Sequence, residues 1–262
     1  MSNLGFQTAL RLFIEEPDVV CERAFWSGEE EHAEPGALSL APGRRVAGAV
    51  GFDTGTSLSD FDVLAFSVSF EDDYVNLVRM LDAAGISLRT SERSEDEPLV
   101  VMGGVCAHIN PEPVAPLLDA VLVGDAPAII PPLVSRLIAS RGRTRDQRLM
   151  ALTEVPGAYV PSLYEHMKDE HGVGTGFDAA PGAPFPVEAV ACAAQPAASV
   201  ILSDAAYFSD MFLIEPSRGC ARGCRFCAAG SVLRPRSHHP AREVLAAIGA
   251  ASETANKAVD SP

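Results

Sequence analysis

The apolar positions of the chain follow two periods, which alternate along its first half. Spacing of i, i+3, i+4 and i+7 predicts amphipathic helices, whereas short continuous apolar runs predict strands buried in a parallel sheet. The predicted helices cover residues 2–16, begin at Asp72 or Asp73, and cover residues 128–140; the predicted strands are residues 19–25, 61–70, 99–104 and 119–125. This alternation predicts an α/β fold with a doubly wound parallel sheet.

The other segments are more polar or are interrupted by glycine and proline, which favours loops and short elements. We expect loops at 28–44 and 89–98, a short helix ending at Leu152, an extended run at 155–165, a connector at 171–198, a strand at 211–214 and a helix after Pro240. The chain therefore divides into an α/β domain at residues 1–140, a connector at 141–205 and the start of a second domain at 206–262.

Composition limits the possible classes of protein. The chain has 262 residues, 47% of them hydrophobic, which is enough apolar material for a buried core. Its net charge of −15 argues against a nonspecific nucleic-acid-binding protein. No apolar run reaches the length of about 18 residues that a membrane span needs, and no basic-then-apolar leader begins the chain. We therefore expect a cytoplasmic protein with no membrane partner.

Three cysteines near the carboxyl end provide the clearest chemical signal. Cys220, Cys224 and Cys227 have the spacing C-x3-C-x2-C, with glycines at 219 and 223 that let the backbone wrap closely around a bulky group. A four-iron cluster normally takes four cysteine ligands. Three thiolates would leave one iron with an open coordination position for a cofactor.

Two other uses of these thiols are less consistent with the sequence. A zinc site would need His238 or His239 as a fourth ligand, and neither has the usual short spacing from a cysteine. A disulfide would leave one of the three cysteines unpaired. Six arginines and no acidic residue lie between Pro216 and Arg242, so the loop could offset the charge of an anionic cluster or contact the phosphates of RNA.

The chain resembles a family of radical S-adenosylmethionine (radical SAM) proteins with a cobalamin-binding-like first domain. The resemblance depends on the stretches DVVCERAF, LSDFDVLAFSVSFEDDYVNLVRMLDAAGI, GGVCAHINPEP, YVPSLYE and EPSRGCARGCRFCAAG. It implies a flavodoxin-like domain followed by the first βα unit of a partial TIM-type barrel. It also implies that Cys220, Cys224 and Cys227 bind a [4Fe-4S] cluster, whose fourth iron binds S-adenosylmethionine. Phe226 is then expected to pack near the adenine.

The same resemblance implies a reaction. Reductive cleavage of S-adenosylmethionine would yield a 5′-deoxyadenosyl radical that abstracts hydrogen from a substrate, and a flavodoxin or ferredoxin would supply the electron. Compared with that family, however, the chain opens on a helix where a central strand is expected, and about one βα unit fits after Cys227. We therefore expect a chain truncated at both ends that cleaves little S-adenosylmethionine alone.

Cobalamin binding is not expected, because Ala126 and Pro127 replace the acidic residue that this subfamily has after the glycine at 124. A D-x-H-x-x-G pattern at Asp169, His171 and Gly174 resembles a cobalt-binding motif, but it follows the first domain and is interpreted as an exposed loop. Two alternatives stay open. One is a non-enzymatic metal-binding remnant or interaction module. The other is an RNA methylthiotransferase, which would need a second cluster. The candidate ligands for that cluster are Cys21, Cys106 and Cys192.

Overall fold

A computed structural model describes residues 3–26, 49–192, 195–202, 207–208, 211–234 and 236–259. The predicted loop at 28–44 lies outside these ranges. The helices are α1 (Leu4–Glu15), α2 (Asp73–Ala83), α3 (Val105–Ile109), α4 (Ala126–Ala139), α5 (Arg145–Leu152), α6 (Ala229–Val232) and α7 (Ala241–Val259). The strands are β1 (Val63–Ser67), β2 (Leu99–Gly103), β3 (Ala120–Leu122), β4 (Ala158–Tyr159), β5 (Tyr164–Lys168), β6 (Gly174–Ala179), β7 (Ser217–Arg218) and β8 (Ser237–His238).

Among the described residues, four strands form the main sheet in the order β1-β2-β3-β4. β1 and β2 run parallel, with Val63 opposite Leu99. β2 and β3 are also parallel, with Met102 opposite Val121, and β4 is antiparallel to β3. The predicted α/β fold is confirmed in this form, as a mostly parallel sheet. Its parallel strands end together at one edge, which we call the carboxyl edge of the sheet.

Helices cover both faces of the sheet, which explains the unbroken apolar run of β2. Val100 and Met102 point to one face, where they pack with α2 and α3. Leu99 and Val101 point to the other face, where they pack with α4 and α5, and α1 contacts α4 on this side. All four side chains are at most 1% exposed. A strand buried on both faces needs an apolar residue at every position.

A buried ionic cluster stabilises the opposite, amino edge of the sheet. Asp119, directly before β3, accepts from Arg93 at 2.8 Å and from Arg145 at 2.7 Å through the same oxygen, Oδ2. Oδ2 also accepts from the Val100 amide at 2.7 Å. Burial lowers the pKa of Arg93, and the Asp119 carboxylate opposes that shift. The cluster thus joins the loop before β2, the start of β3 and helix α5.

The predicted helices agree closely with the structure, with some differences at their ends. α1 begins after Asn3, whose side chain accepts from the Phe6 amide. Asp72 is the N-cap residue of α2, but its side chain makes no capping hydrogen bond. α5 begins at a capping box formed by Thr144 and Gln147. None of the described helices is long and apolar enough to cross a membrane.

Some predicted strands and loops differ from the structure. Residues 19–25 form no strand within the described part of the chain, because their polar groups instead bind the loop at 51–56: the Arg23 carbonyl accepts from the Phe52 amide. The predicted connector contains β6, which pairs with β5 as an antiparallel hairpin. β6 has three glycine or alanine residues among its six, so its pattern resembles a loop.

The predicted strand at 211–214 is reduced to one antiparallel bridge between Ile214 and Ala198. Around this bridge the Ser199 amide donates to Leu213 and the Glu215 amide donates to Ala197. The segment is therefore paired with residues 197–199 and is not a strand of the main sheet, which consists of β1 to β4 in the described part of the chain. It leads directly into the cysteine loop.

Candidate metal site on the cysteine loop

The cysteine loop, residues 219–228, lies between β7 and α6. β7 pairs antiparallel with β8, so that Ser217 lies opposite His238 and both ends of the loop region are held together. Cys220 and Cys227 are partly buried and Cys224 is exposed. Phe226 is 93% exposed, so its ring packs against no core residue.

Backbone hydrogen bonds shape the loop. The Cys220 amide donates to the Leu233 carbonyl at 3.1 Å, and the Cys227 amide donates to Cys224 at 3.2 Å. The Arg222 amide donates to the Cys220 sulfur at 3.4 Å. These bonds fix the backbone on both sides of Cys220 and hold its sulfur within the loop.

The geometry of the three sulfurs gives no metal site by itself. Across the described ranges, no three His, Cys, Asp or Glu side chains lie close enough together to hold a metal ion. The chemistry of the donor set nevertheless fits an iron–sulfur cluster, because three accessible thiols share one short loop without a competing carboxylate. His238 and His239, the candidate zinc ligands, belong to β8 and the residue after it and complete no such group either.

The loop begins beside the carboxyl edge of the main sheet. Arg218 Nε lies 2.7 Å from Asp125 Oδ1. Asp125 follows Gly124, three residues after the last residue of β3. The other carboxylate oxygen accepts from the Cys192 amide at 3.1 Å. Helix α3, at the end of β2, also contacts α6. Two elements of the edge thus touch both sides of the cysteine loop.

Titratable groups surround Asp125. Burial lowers the pKa of His108, with smaller and opposing contributions from Asp125 and Arg218. Burial also raises the pKa of the Cys192 thiol, and the charge of Asp125 adds to that shift. His108, Cys192 and Arg218 therefore belong to one electrostatic neighbourhood around Asp125.

Gly104 and Gly124, which lie one and two residues after β2 and β3, are covered by the chain itself. A Cβ on Gly104 would lie 2.9 Å from the Val68 nitrogen, and one on Gly124 would lie 2.7 Å from the Val190 nitrogen. Both glycines have positive φ, at 101° and 145°. Neighbouring backbone therefore approaches closely at both positions, which is why glycine is required there.

The D-x-H-x-x-G pattern lies away from that edge. Asp169 accepts from the amides of His171 and Val173 and so closes the turn between β5 and β6. The His171 side chain is 77% exposed. This confirms the interpretation of an exposed loop histidine.

The three other cysteines occupy separate places. Cys21 lines a surface cavity with Leu10 and Arg23, Cys106 is buried in α3, and Cys192 is exposed near Asp125. Within the described residues they form no group close enough together to hold a metal ion.

Asp125 was not among the residues predicted to be functional. It ended the predicted strand at 119–125, and an acidic residue was expected at the positions of Ala126 and Pro127, but Asp125 itself was given no role. Its position at the carboxyl end of a parallel strand was the available signal, because ligands and docking segments of such sheets bind there.

Comparison with known families gives independent support for the cysteine signal. The sequence profile described as "radical SAM proteins, N-terminal" matches residues 5–161, more than half of the chain. The match ends before the cysteine loop, so it does not depend on the three cysteines. No curated protein and no solved structure matches the chain. Because the family match covers most of the α/β region, the chain belongs to the radical SAM superfamily.

Proposed function

We propose that the chain is the amino-terminal part of a radical SAM enzyme whose [4Fe-4S] cluster is held by Cys220, Cys224 and Cys227. The observation behind this proposal is the C-x3-C-x2-C loop in a chain that belongs to this superfamily by a separate region. Three thiolates leave one iron without a protein ligand. That iron would bind S-adenosylmethionine, and Phe226 would contact the adenine.

The protein's own residues would prepare this site in two ways. The Arg222 amide already donates to the Cys220 sulfur, which holds that sulfur within the loop. The arginines of the loop region would place positive charge near the three cluster thiolates and near the carboxylate of the cofactor. One of these arginines, Arg234, also donates to the Arg222 carbonyl at 2.9 Å. When bound, the cluster would supply the electron that cleaves S-adenosylmethionine to methionine and a 5′-deoxyadenosyl radical.

The finer description of the architecture belongs to the same proposal. A flavodoxin-like domain would cover residues 1–140, and the first unit of a TIM-type barrel 206–262. The segment between them, 141–205, would be a connector whose first part packs on the main sheet through α5 and joins it through β4. The parallel order β1-β2-β3 with helices on both faces supports the first assignment. A flavodoxin or ferredoxin would deliver the electron, and the substrate class is left open.

The test is anaerobic reconstitution of the chain with iron and sulfide. We expect about four irons per chain with broad visible absorption. Changing Cys220, Cys224 or Cys227 to Ala is expected to remove most of the iron. Cys192→Ser is the matched control, since Cys192 is also an accessible cysteine but lies outside the loop. The electron paramagnetic resonance spectrum of the reduced chain is expected to change when S-adenosylmethionine is added.

Other results would select the alternatives. If the chain instead binds stoichiometric zinc and no iron, and His238→Ala or His239→Ala loses that zinc, the result would favour a zinc site over an iron–sulfur cluster. About eight irons, reduced to about four in Cys21→Ser, would favour the methylthiotransferase class. Four irons with a spectrum that S-adenosylmethionine does not alter would indicate a metal-binding protein without radical chemistry.

A further inference from the structure

The carboxylate of Asp125 is used in an unusual way for its position. Asp125 is the N-cap residue of α4, where an aspartate normally accepts from the first helical amides. Its side chain makes no capping bond. One oxygen instead accepts from the Cys192 amide, and the other lies 2.7 Å from Arg218. The side chain thus connects three segments that are distant in sequence.

Arg218 makes the shorter of its two described ion pairs with this carboxylate. It lies in β7, two residues before Cys220, and the loop region from Pro216 to Arg242 contains no acidic residue. Among the described residues, Glu215 also pairs with Arg218, through a longer contact of 3.5 Å between Oε2 and Nη1. The Asp125 side chain is 16% exposed, so water screens its interaction with Arg218 less than it screens a surface pair.

The backbone of Asp125 is itself firmly held. Its amide donates to the Val190 carbonyl at 2.7 Å, and Gly124 and Val190 form a parallel bridge. The carboxylate is therefore attached to the end of β3 and not to a free loop. A residue fixed to the main sheet can define where Arg218, and hence the start of the cysteine loop, is placed.

A second contact positions the segment before the loop. Gln7 of α1 is 2% exposed, and its Oε1 accepts from the amides of Val200 and Ile201 at 2.7 and 3.0 Å. The strip 197–199 just before these residues pairs with 213–215. The approach to the cysteine loop is thus held to the first helix, while the loop itself is held to β3.

We propose that Asp125 is a positioning residue that docks the cysteine loop onto the carboxyl edge of the sheet through Arg218. The α/β domain would then act as the platform for the cluster loop. The docking stands on contacts in the metal-free chain, whereas its consequence for a cluster rests on the proposed function.

The first experiment is hydrogen exchange on the metal-free, full 262-residue chain. Asp125→Asn is expected to speed exchange of the Leu213, Glu215 and Cys220 amides about tenfold or more, because a charge-assisted contact that restrains local opening is lost. Arg218→Gln removes the same contact from the loop side. Because the Arg218 side chain is partly exposed, this substitution is expected to leave the sheet intact. The matched control is Asp62→Asn, whose pair with Arg141 at 3.2 Å is also long-range but exposed.

The second experiment uses the reconstituted chain. Asp125→Asn is expected to broaden or shift the electron paramagnetic resonance spectrum of the reduced cluster, while the exchanged pair Asp125→Arg with Arg218→Asp restores both the spectrum and the slow exchange. The docking would be overturned if the exchange rates of the Leu213, Glu215 and Cys220 amides in both Asp125→Asn and Arg218→Gln stay within twofold of the rates in the unaltered chain. If the unaltered chain binds no iron, the proposed function fails, and the exchange result still decides the docking.

Discussion

The main sheet and the cysteine loop differ in almost every physical respect. Val100 and Val121 of the sheet are fully buried, whereas Cys224 of the loop is exposed and Phe226 is 93% exposed. The sheet is held by parallel ladders and two apolar clusters. The loop is held by a few backbone bonds, a two-residue hairpin and its contacts with the sheet. Stability and candidate chemistry are therefore located in different parts of the chain.

This difference explains how the cysteine loop can be exposed to solvent and still have a fixed position. A loop with little apolar burial cannot order itself, because each fixed residue costs about 1–2 kcal/mol of conformational entropy. Its order must come from outside contacts or from a bound metal. Substitutions in the sheet should therefore change the free energy of unfolding, and substitutions at the loop tip should change ligand binding with little effect on stability.

The largest effect on stability is expected for Asp119→Ala. This change removes the carboxylate between Arg93 and Arg145, both of which are buried, and leaves their charges without a close acidic partner. We expect a loss of about 3–5 kcal/mol in the free energy of unfolding, measured by urea denaturation. The control Glu154→Ala breaks the exposed pair with Arg136 and is expected to cost about 0–1 kcal/mol. Equal losses in the two variants would contradict the comparison.

The sheet was largely predictable because its signals are local. The apolar runs that became β1, β2 and β3 and the helical spacing of α2 and α4 each lie in a single window of sequence. Pairing between short polar segments was not predictable in this way. β6 contains mainly small and polar residues, and its strand conformation depends on β5. Residues 19–25 looked like a strand, but their pairing groups bind the loop at 51–56.

The candidate site shows the same limit. The spacing of the three cysteines identifies their chemistry because all three lie on one loop. The Asp125–Arg218 pair joins residues distant in the chain, and no local pattern relates them. The buried Asp119 cluster was missed for the same reason. Arg93 lies in a predicted charged loop and Arg145 in an arginine-rich segment predicted to begin a short helix, and only the folded arrangement brings them to one carboxylate.

Gly124→Ala is expected to have the next largest effect on the free energy of unfolding, and to affect both the main sheet and the cysteine loop. A Cβ at this position would overlap the backbone of Val190, and its φ of 145° disfavours a side chain. We expect a loss of about 1–3 kcal/mol in the free energy of unfolding. Because Asp125 follows Gly124, exchange of the Cys220 amide should also become faster.

Gly142→Ala is the matched control for this change. Gly142 also has a positive φ, 73°, but nothing lies within 4 Å of a Cβ built there. Its cost is limited to backbone strain of about 1 kcal/mol, with no change at Cys220. A smaller loss for Gly124→Ala than for Gly142→Ala would show that the contact with Val190 does not restrict the sheet edge.

A weaker effect is expected from His108, which lies between the two regions. Burial lowers its pKa in the folded chain, so the unfolded chain binds more protons between that lowered pKa and the ordinary value of about 6.5. The free energy of unfolding should therefore fall as the pH drops from about 6.5 through the lowered pKa. His108→Gln should flatten this slope, as measured by urea denaturation at a series of pH values. His171→Gln, on the exposed hairpin turn, is the matched control, and a slope lost only in that variant would contradict the assignment.

The smallest effect on stability is expected for Phe226→Ala, at the tip of the loop. Because the ring is 93% exposed, its removal should change the free energy of unfolding by no more than about 0.5 kcal/mol and should leave the iron content unchanged. Binding of S-adenosylmethionine to the reconstituted chain, measured by equilibrium dialysis, should weaken severalfold, since an aromatic contact contributes about 0.5–1.5 kcal/mol. Phe70→Ala removes a ring that is 71% exposed outside the loop and should change neither quantity. A loss of stability above about 1 kcal/mol in Phe226→Ala would mean that the loop tip packs against the fold, and the separation between a stable sheet and a chemically specialised loop would not hold there.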